Sequence, residues 1–173
     1  LSHPRFHFYR KHIHPAPGPD RMSLNELYSL ALAALPSDGD LLLQLDIEGA
    51  EYVALLDLCA EHLARTRIIV AEFHGLRHLF WRFGYRVMAP VFEKVLASHA
   101  VVHAHPNNAT IVLRRGDLAI PQVMELTFLR RDRAFKSSRE ELCFPHPLDR
   151  DNVPDKPHVA LPECWYRDRT RHS

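Results

Sequence analysis

Three short stretches carry residues suited to acid–base or ligating chemistry. Asp46 and Glu48 come just after the apolar run LLLQL (41–45). Glu72 and His74 close the run RIIVAEFH (67–74). His103 lies within a third apolar run (100–104), and His105, Asn107 and Asn108 come directly after it. Carboxylates take up protons or cations, and an imidazole exchanges a proton near neutral pH. Amides orient either kind of group by hydrogen bonding. Each residue also has an ordinary use. Asp46 and Glu48 can cap the next helix, whose positive end favours carboxylates. Gly49 suits a tight strand-to-helix turn. Glu51 reads as a solvated first-turn residue, His74 as a satisfied buried histidine and Asn107-Asn108 as a turn. His103 and His105 face the same way on a strand and can form a metal site or proton relay, but two histidines are a weak signal. Arg130, Arg131 and Arg133 read as a solvated strand end and only weakly as a phosphate contact.

These residues need elements to position them. Residues 5–12 (RFHFYRKH) alternate aromatic with polar and predict a short strand. Residues 14–20 (HPAPGPD) form a proline-rich loop. Ser23 and Glu26 make a capping box for a helix carrying Leu24, Leu27, Leu30, Ala31 and Ala34 on helical spacing, ended by residues 36–39. The 41–45 run reads as a strand buried on both faces. A helix over 50–65, with Val53, Leu56, Ala60 and Leu63 on one face, leads to a strand at 67–73. A helix at 85–99 leads to a strand at 100–104. Residues 111–114 and 123–129 read as a final pair of strands. This alternation predicts an α/β three-layer domain with a mostly parallel sheet. The strand ends bearing Asp46, Glu72, His74 and the 105–108 segment would converge on one crevice, where open α/β sheets bind ligands. The body spans 1–143. Residues 144–173 form a proline-rich extension packed on it or trailing from it.

Composition excludes several classes. The 173 residues suit one domain. With 22 Lys and Arg against 21 Asp and Glu, the basic excess expected of a nucleic-acid binder is missing. No apolar run reaches the length of a membrane helix, and residues 1–10 do not read as a signal peptide. Three cysteines, Cys59, Cys143 and Cys164, are too few for a disulfide framework. Their odd number leans toward a reducing, cytoplasmic compartment. No Walker A loop, GxSxG elbow, HExxH or CxxC is present. The 13 histidines are numerous, but His3, His7, His12, His14 and His146 read as surface residues.

The run LLLQLDIEGAEYVALLDL (41–58) resembles the strand–D-[IV]-E-G-[AS]-E-[WY]–helix signature of FkbM-like methyltransferases. IIVAEFHGL (68–76), VVHAHPNN (101–108), PQVMELTFLRR (121–131) and FPHPLDRDNVPDKP (144–157) resemble further segments of one branch, in order. The resemblance implies a Rossmann-like methyltransferase fold with an antiparallel last strand, S-adenosylmethionine as cofactor, and O-methyl transfer to a small molecule or glycan. It implies cofactor contacts from Asp46, Ile47, Glu48 and Gly49. It also implies a base among Glu48, Glu72 and His74, and acceptor contacts from His103, His105, Asn107 and Asn108. No metal ligand is assigned. With six glycines and no GxGxG-type loop before Asp46, the first two strands of such a fold are expected to be missing, and the initial Leu1 reads as a sign of truncation. Such a sheet should expose an apolar edge and face. Two alternatives are a metal-dependent enzyme using Asp46, Glu48, Glu72, His74, His103 and His105, and a truncated, non-catalytic interaction domain.

Overall fold

The computed structural model describes residues 6–133, 145–162 and 165. Cys143, Cys164 and the ends of the extension lie outside them. The chain begins with a two-residue parallel pairing of β1 (His12–Ile13) and β2 (Arg21–Met22). The strand expected over 5–12 does not form within 6–11. Alternation makes a strand only where a sheet edge is available to pair, and here Phe6 and Phe8 stand exposed instead. Helix α1 (Leu24–Ala33) starts as its capping box dictates. Ser23 Oγ accepts the Glu26 N–H, and Glu26 accepts the Ser23 N–H.

Four strands make the main sheet, in the order β3 (Leu41–Leu45), β4 (Thr66–His74), β8 (Val123–Arg130), β5 (His99–Pro106). β3 and β4 are parallel, while β8 runs antiparallel to both β4 and β5. The last strand is antiparallel as expected, but the sheet is mixed rather than mostly parallel. The cause is the hairpin of β6 (Val112–Arg115) and β7 (Leu118–Pro121), which pair with each other across a left-handed Gly116. That hairpin replaces the expected pairing of 111–114 with 123–129 and feeds β8 back between β4 and β5.

The helix expected over 50–65 is two helices, α2 (Glu51–Asp57) and α3 (Ala60–Arg65). Leu58 and Cys59 are extended between them. The break is held by partners from elsewhere. The Asn25 amide donates to Asp57 O at 2.9 Å and accepts the Cys59 N–H at 2.8 Å. Lys94 donates to the carbonyls of Leu56 and Leu58. The buried residues of α2 are Glu51, Tyr52, Ala54 and Leu55, continued by Leu58; of the face expected to meet the core, Leu63 is buried, but Ala60 is exposed and Val53 and Leu56 are 45% and 49% exposed. A 3-10 turn (Leu76–Phe80) then leads into α4 (Arg82–Ser98).

The core lies on one face of the sheet. Ile69, Ala71 and Phe73 of β4 and Met124, Leu126 and Phe128 of β8 are buried there. Phe73 packs against the rings of Tyr52 and Phe92, with centroids 5.5 and 4.9 Å away. Burying such a ring contributes about 1.5–3 kcal/mol. It also fixes the register, because a one-residue slip would drive Glu72 and His74 into the core. The opposite face carries Gln44, Val70, Glu72, His103, His105 and Glu125, and the 145–162 segment lies across part of it. β3 is therefore not buried on both faces. It is an edge strand, with Leu42 62% exposed. Among the described residues, no helix is long and apolar enough to cross a membrane.

Candidate functional site

Strand alternation builds the first half of the site. With Phe73 in the core, Glu72 and His74 point to the opposite face. The parallel register pairs Leu45 with Ala71, which sets Asp46, one residue on, beside Glu72. Ligating atoms of Asp46, Glu72 and His74 all lie within 4.8 Å of one another.

The loop after β3 builds the second half. The chain turns sharply through Glu48, φ 56°, and Gly49, φ 104°. The left-handed conformation costs a residue with a Cβ about 1–2 kcal/mol, so something must hold Glu48 there. That something is Glu51, which is fully buried. Its Oε1 accepts the N–H groups of Ile47 and Gly49, each at 3.0 Å. The same oxygen lies 3.1 Å from His74 Nδ1. Glu51 Oε2 has no partner among the described residues. Glu51 is thus an internal tie between the loop and β4 rather than a solvated first-turn residue.

His74 is gripped from both sides. Its Nε2 lies 3.3 Å from Glu72 Oε2 and 3.4 Å from Glu48 Oε2. The Tyr52 hydroxyl donates to its carbonyl at 2.8 Å. Burial, reinforced by the negative charge of Glu51, raises the Tyr52 phenol well above its ordinary range. Glu72 Oε1 accepts from the Asn107 amide at 3.0 Å. Burial pushes the Glu72 carboxyl up, Asn107 opposes it, and the nearby Asp46 charge raises it further.

Two hollows open from this cluster. One, about 140 Å³, is polar and bounded by Gln44, Asp46, Glu72, Glu125 and Asn152. The other, about 620 Å³, is lined by Tyr52, Val53, Trp81, Phe83 and Met88, with Glu48, His74 and His78 as its charged or titratable groups.

The expected acceptor residues part company. Asn107 joins the cluster through Glu72. His103 and His105 instead hold the C-terminal segment. His103 Nε2 lies 2.8 Å from Asp149 Oδ1, and His105 Nδ1 lies 3.4 Å from Asp149 Oδ2. His105 Nε2 is 3.1 Å from Arg150 O. Asn108 donates to the carbonyls of Val153 and Lys156 and accepts the Val153 N–H. Ile47 packs half-buried against the core, while Asp46, Glu48 and Gly49 are exposed at the loop.

The basic run at the end of β8 is solvated only in part: Arg131 is exposed, but Arg130 and Arg133 are not. Arg130 is 8% exposed and pairs with Asp132 at 2.7 Å and Asp40 at 2.9 Å; Arg133 also reaches Asp40.

Glu51 and Asp149 are the residues that sequence reasoning missed. Glu51 had a legible signal, since positions 51, 54, 55 and 58 share one helical stripe. Asp149 had none, standing in a segment without periodicity.

No family model, no curated protein and no solved structure matches this chain.

Proposed function

We propose that this chain carries the C-terminal part of a methyltransferase domain, using S-adenosylmethionine to methylate a hydroxyl of a small molecule or glycan. One observation carries the reading. The DIEGAEY segment forms a left-handed loop at a strand's carboxyl end, tied by a buried glutamate to the strand that bears the candidate bases. The antiparallel last strand agrees with the FkbM-like resemblance.

The cofactor's sulfonium and ammonium groups are cationic, and the exposed carboxylates of Asp46 and Glu48 suit them. The fit concerns the methionine end alone, because residues 1–45 hold no glycine-rich loop. When bound, the cofactor supplies the electrophilic methyl group. The protein's own part is alignment and proton removal. Glu72 is suited to take the acceptor proton at Oε2, because Asn107 fixes Oε1 and burial raises its carboxyl. His74 offers Nε2 as a rival base, its ring oriented by Glu51. The aromatic-lined hollow suits an acceptor with an apolar body, and its Glu48–His74 edge suits the reacting hydroxyl.

Calorimetric titration of the full-length protein with S-adenosylmethionine tests this. Binding is expected, and Asp46→Ala should abolish it. An affinity unchanged in that variant overturns the site assignment.

A further inference from the structure

We propose that Asp46, Glu72 and His74 form a binding site for one divalent cation, with Glu51 as the residue that positions the imidazole. The site stands on geometry alone; its use in drawing in an acceptor oxygen rests on the methyl-transfer reading.

Three ligating atoms come from two adjacent strands and lie within 4.8 Å of one another. Two ligands each about 2.1 Å from one ion sit at most about 4.2 Å apart. That limit is reached only by ligands on opposite sides of the ion; three on one side sit about 3.0–3.6 Å apart, so the cluster needs to close by up to about 1–2 Å. Two carboxylates and one imidazole suit Mn, Zn or Mg rather than a thiolate-seeking ion.

The surroundings supply an independent sign. A metal-bound histidine usually gives its other ring N–H to a carboxylate, which fixes the tautomer. Here His74 Nδ1 meets Glu51 Oε1 at 3.1 Å, and Glu51 is entirely buried with its other oxygen unpartnered among the described residues. In the tautomer that carries its proton on Nδ1, toward Glu51, the Nε2 lone pair faces carboxylate oxygens of Glu72 and Glu48, at 3.3 and 3.4 Å. A ring lone pair and carboxylate oxygens brought this close repel one another unless a proton on Nε2 or a metal cation lies among them, and Mn(II) uptake separates the two. Asn107 holds the remaining oxygen of Glu72, so Oε2 is left for the ion; with the ion bound, Glu48 is the remaining candidate base and the remaining carboxylate for the cofactor's cationic end. Asp46 is exposed, which leaves open positions for water or a substrate oxygen.

Mn(II) is the probe, monitored by the loss of its free-ion electron paramagnetic resonance signal on adding the full-length protein, with no cofactor or acceptor present. One ion per chain is expected. Asp46→Asn and His74→Gln should each weaken binding at least tenfold, and Glu51→Gln about 10–100-fold through the ring it orients. Thermal midpoints without metal, measured on each variant, separate lost affinity from lost fold. If a variant does not fold, Asp46→Asn alone decides, because its side chain is at the surface. Absence of binding at millimolar Mn(II) overturns the proposal. So does binding that survives His74→Gln, or binding that tracks His103→Gln instead. Methyl transfer that proceeds without Mn(II) uptake overturns the cation site and leaves the methyltransferase reading standing. Mn(II) uptake without cofactor binding does the reverse.

Discussion

Replacing Glu51 separates a structural tie from a mere buried carboxylate. Its Oε1 receives two backbone N–H groups of the loop and faces His74 Nδ1. Glu51→Ala removes all three contacts. An unsatisfied buried N–H costs about 1–3 kcal/mol. Ile47 is half-buried and should bear that cost, whereas Gly49 is exposed and its N–H can turn to water for less than about 1 kcal/mol. These figures hold for a loop that keeps its left-handed turn at Glu48. The net expectation is a loss of about 2–3 kcal/mol. Glu51→Gln keeps a carbonyl oxygen for both N–H groups and forfeits only the charge assistance, about 1 kcal/mol. Urea unfolding resolves the two. With a slope of about 2 kcal/mol per molar, the midpoint should fall by about 1–1.5 M for Ala and about 0.5 M for Gln. Equal midpoints for the two variants, or a loss below about 1 kcal/mol for Ala, would refute the view that Glu51 holds the loop.

Contacts elsewhere in the fold set further outcomes. Arg130→Ala should cost about 1–3 kcal/mol in urea unfolding, chiefly by leaving the Ala64 carbonyl without its donor, since Asp40 keeps Arg133; Arg133→Ala, at a more exposed side chain, should cost less. Gly84→Ala should lower the thermal midpoint sharply, since its Cβ would overlap the His78 carbonyl oxygen, inside any permitted contact. Tyr28→Phe should cost about 1 kcal/mol through its 2.8 Å hydrogen bond with Thr66. Burial lowers the pKa of His99, whose Nε2 lies 2.9 Å from Thr66 O. The unfolded chain therefore takes up the proton first, and stability should fall as pH drops below about 6.5, the ordinary imidazole value, toward the lowered folded value. His99→Gln, which can still donate to Thr66 O, should flatten that part of a pH–stability curve.

The strand-end carboxylates and imidazole were legible because a strand's period is two. Once Phe73 is assigned to the core, Glu72 and His74 must share the other face, and Asp46 must follow the neighbouring parallel strand. The order of the strands was not legible. Period and composition name strands without saying which edges meet, and only the β6–β7 hairpin reverses the chain so that β8 enters antiparallel. Glu51 was misread for a different reason. Two stripes compete on the 50–65 segment. The more apolar one, Val53 and Leu56, won on hydrophobicity, although the break at Leu58–Cys59 means the segment was never one helix. Partners supplied by Asn25 and Lys94 decide that break, and sequence separation hides them. The same rotation that puts Leu55 and Leu58 in the core carries Glu51 inward, directly onto the loop and His74. A carboxylate buried without an arginine or lysine beside it is costly unless backbone donors or a cation offset it. Two backbone N–H groups offset one oxygen of Glu51, and His74 links that oxygen to Asp46 and Glu72, whose own charges remain to be balanced. The core packing of α2 and the charge state of the site are thus one problem, and a cation at the strand ends would solve both.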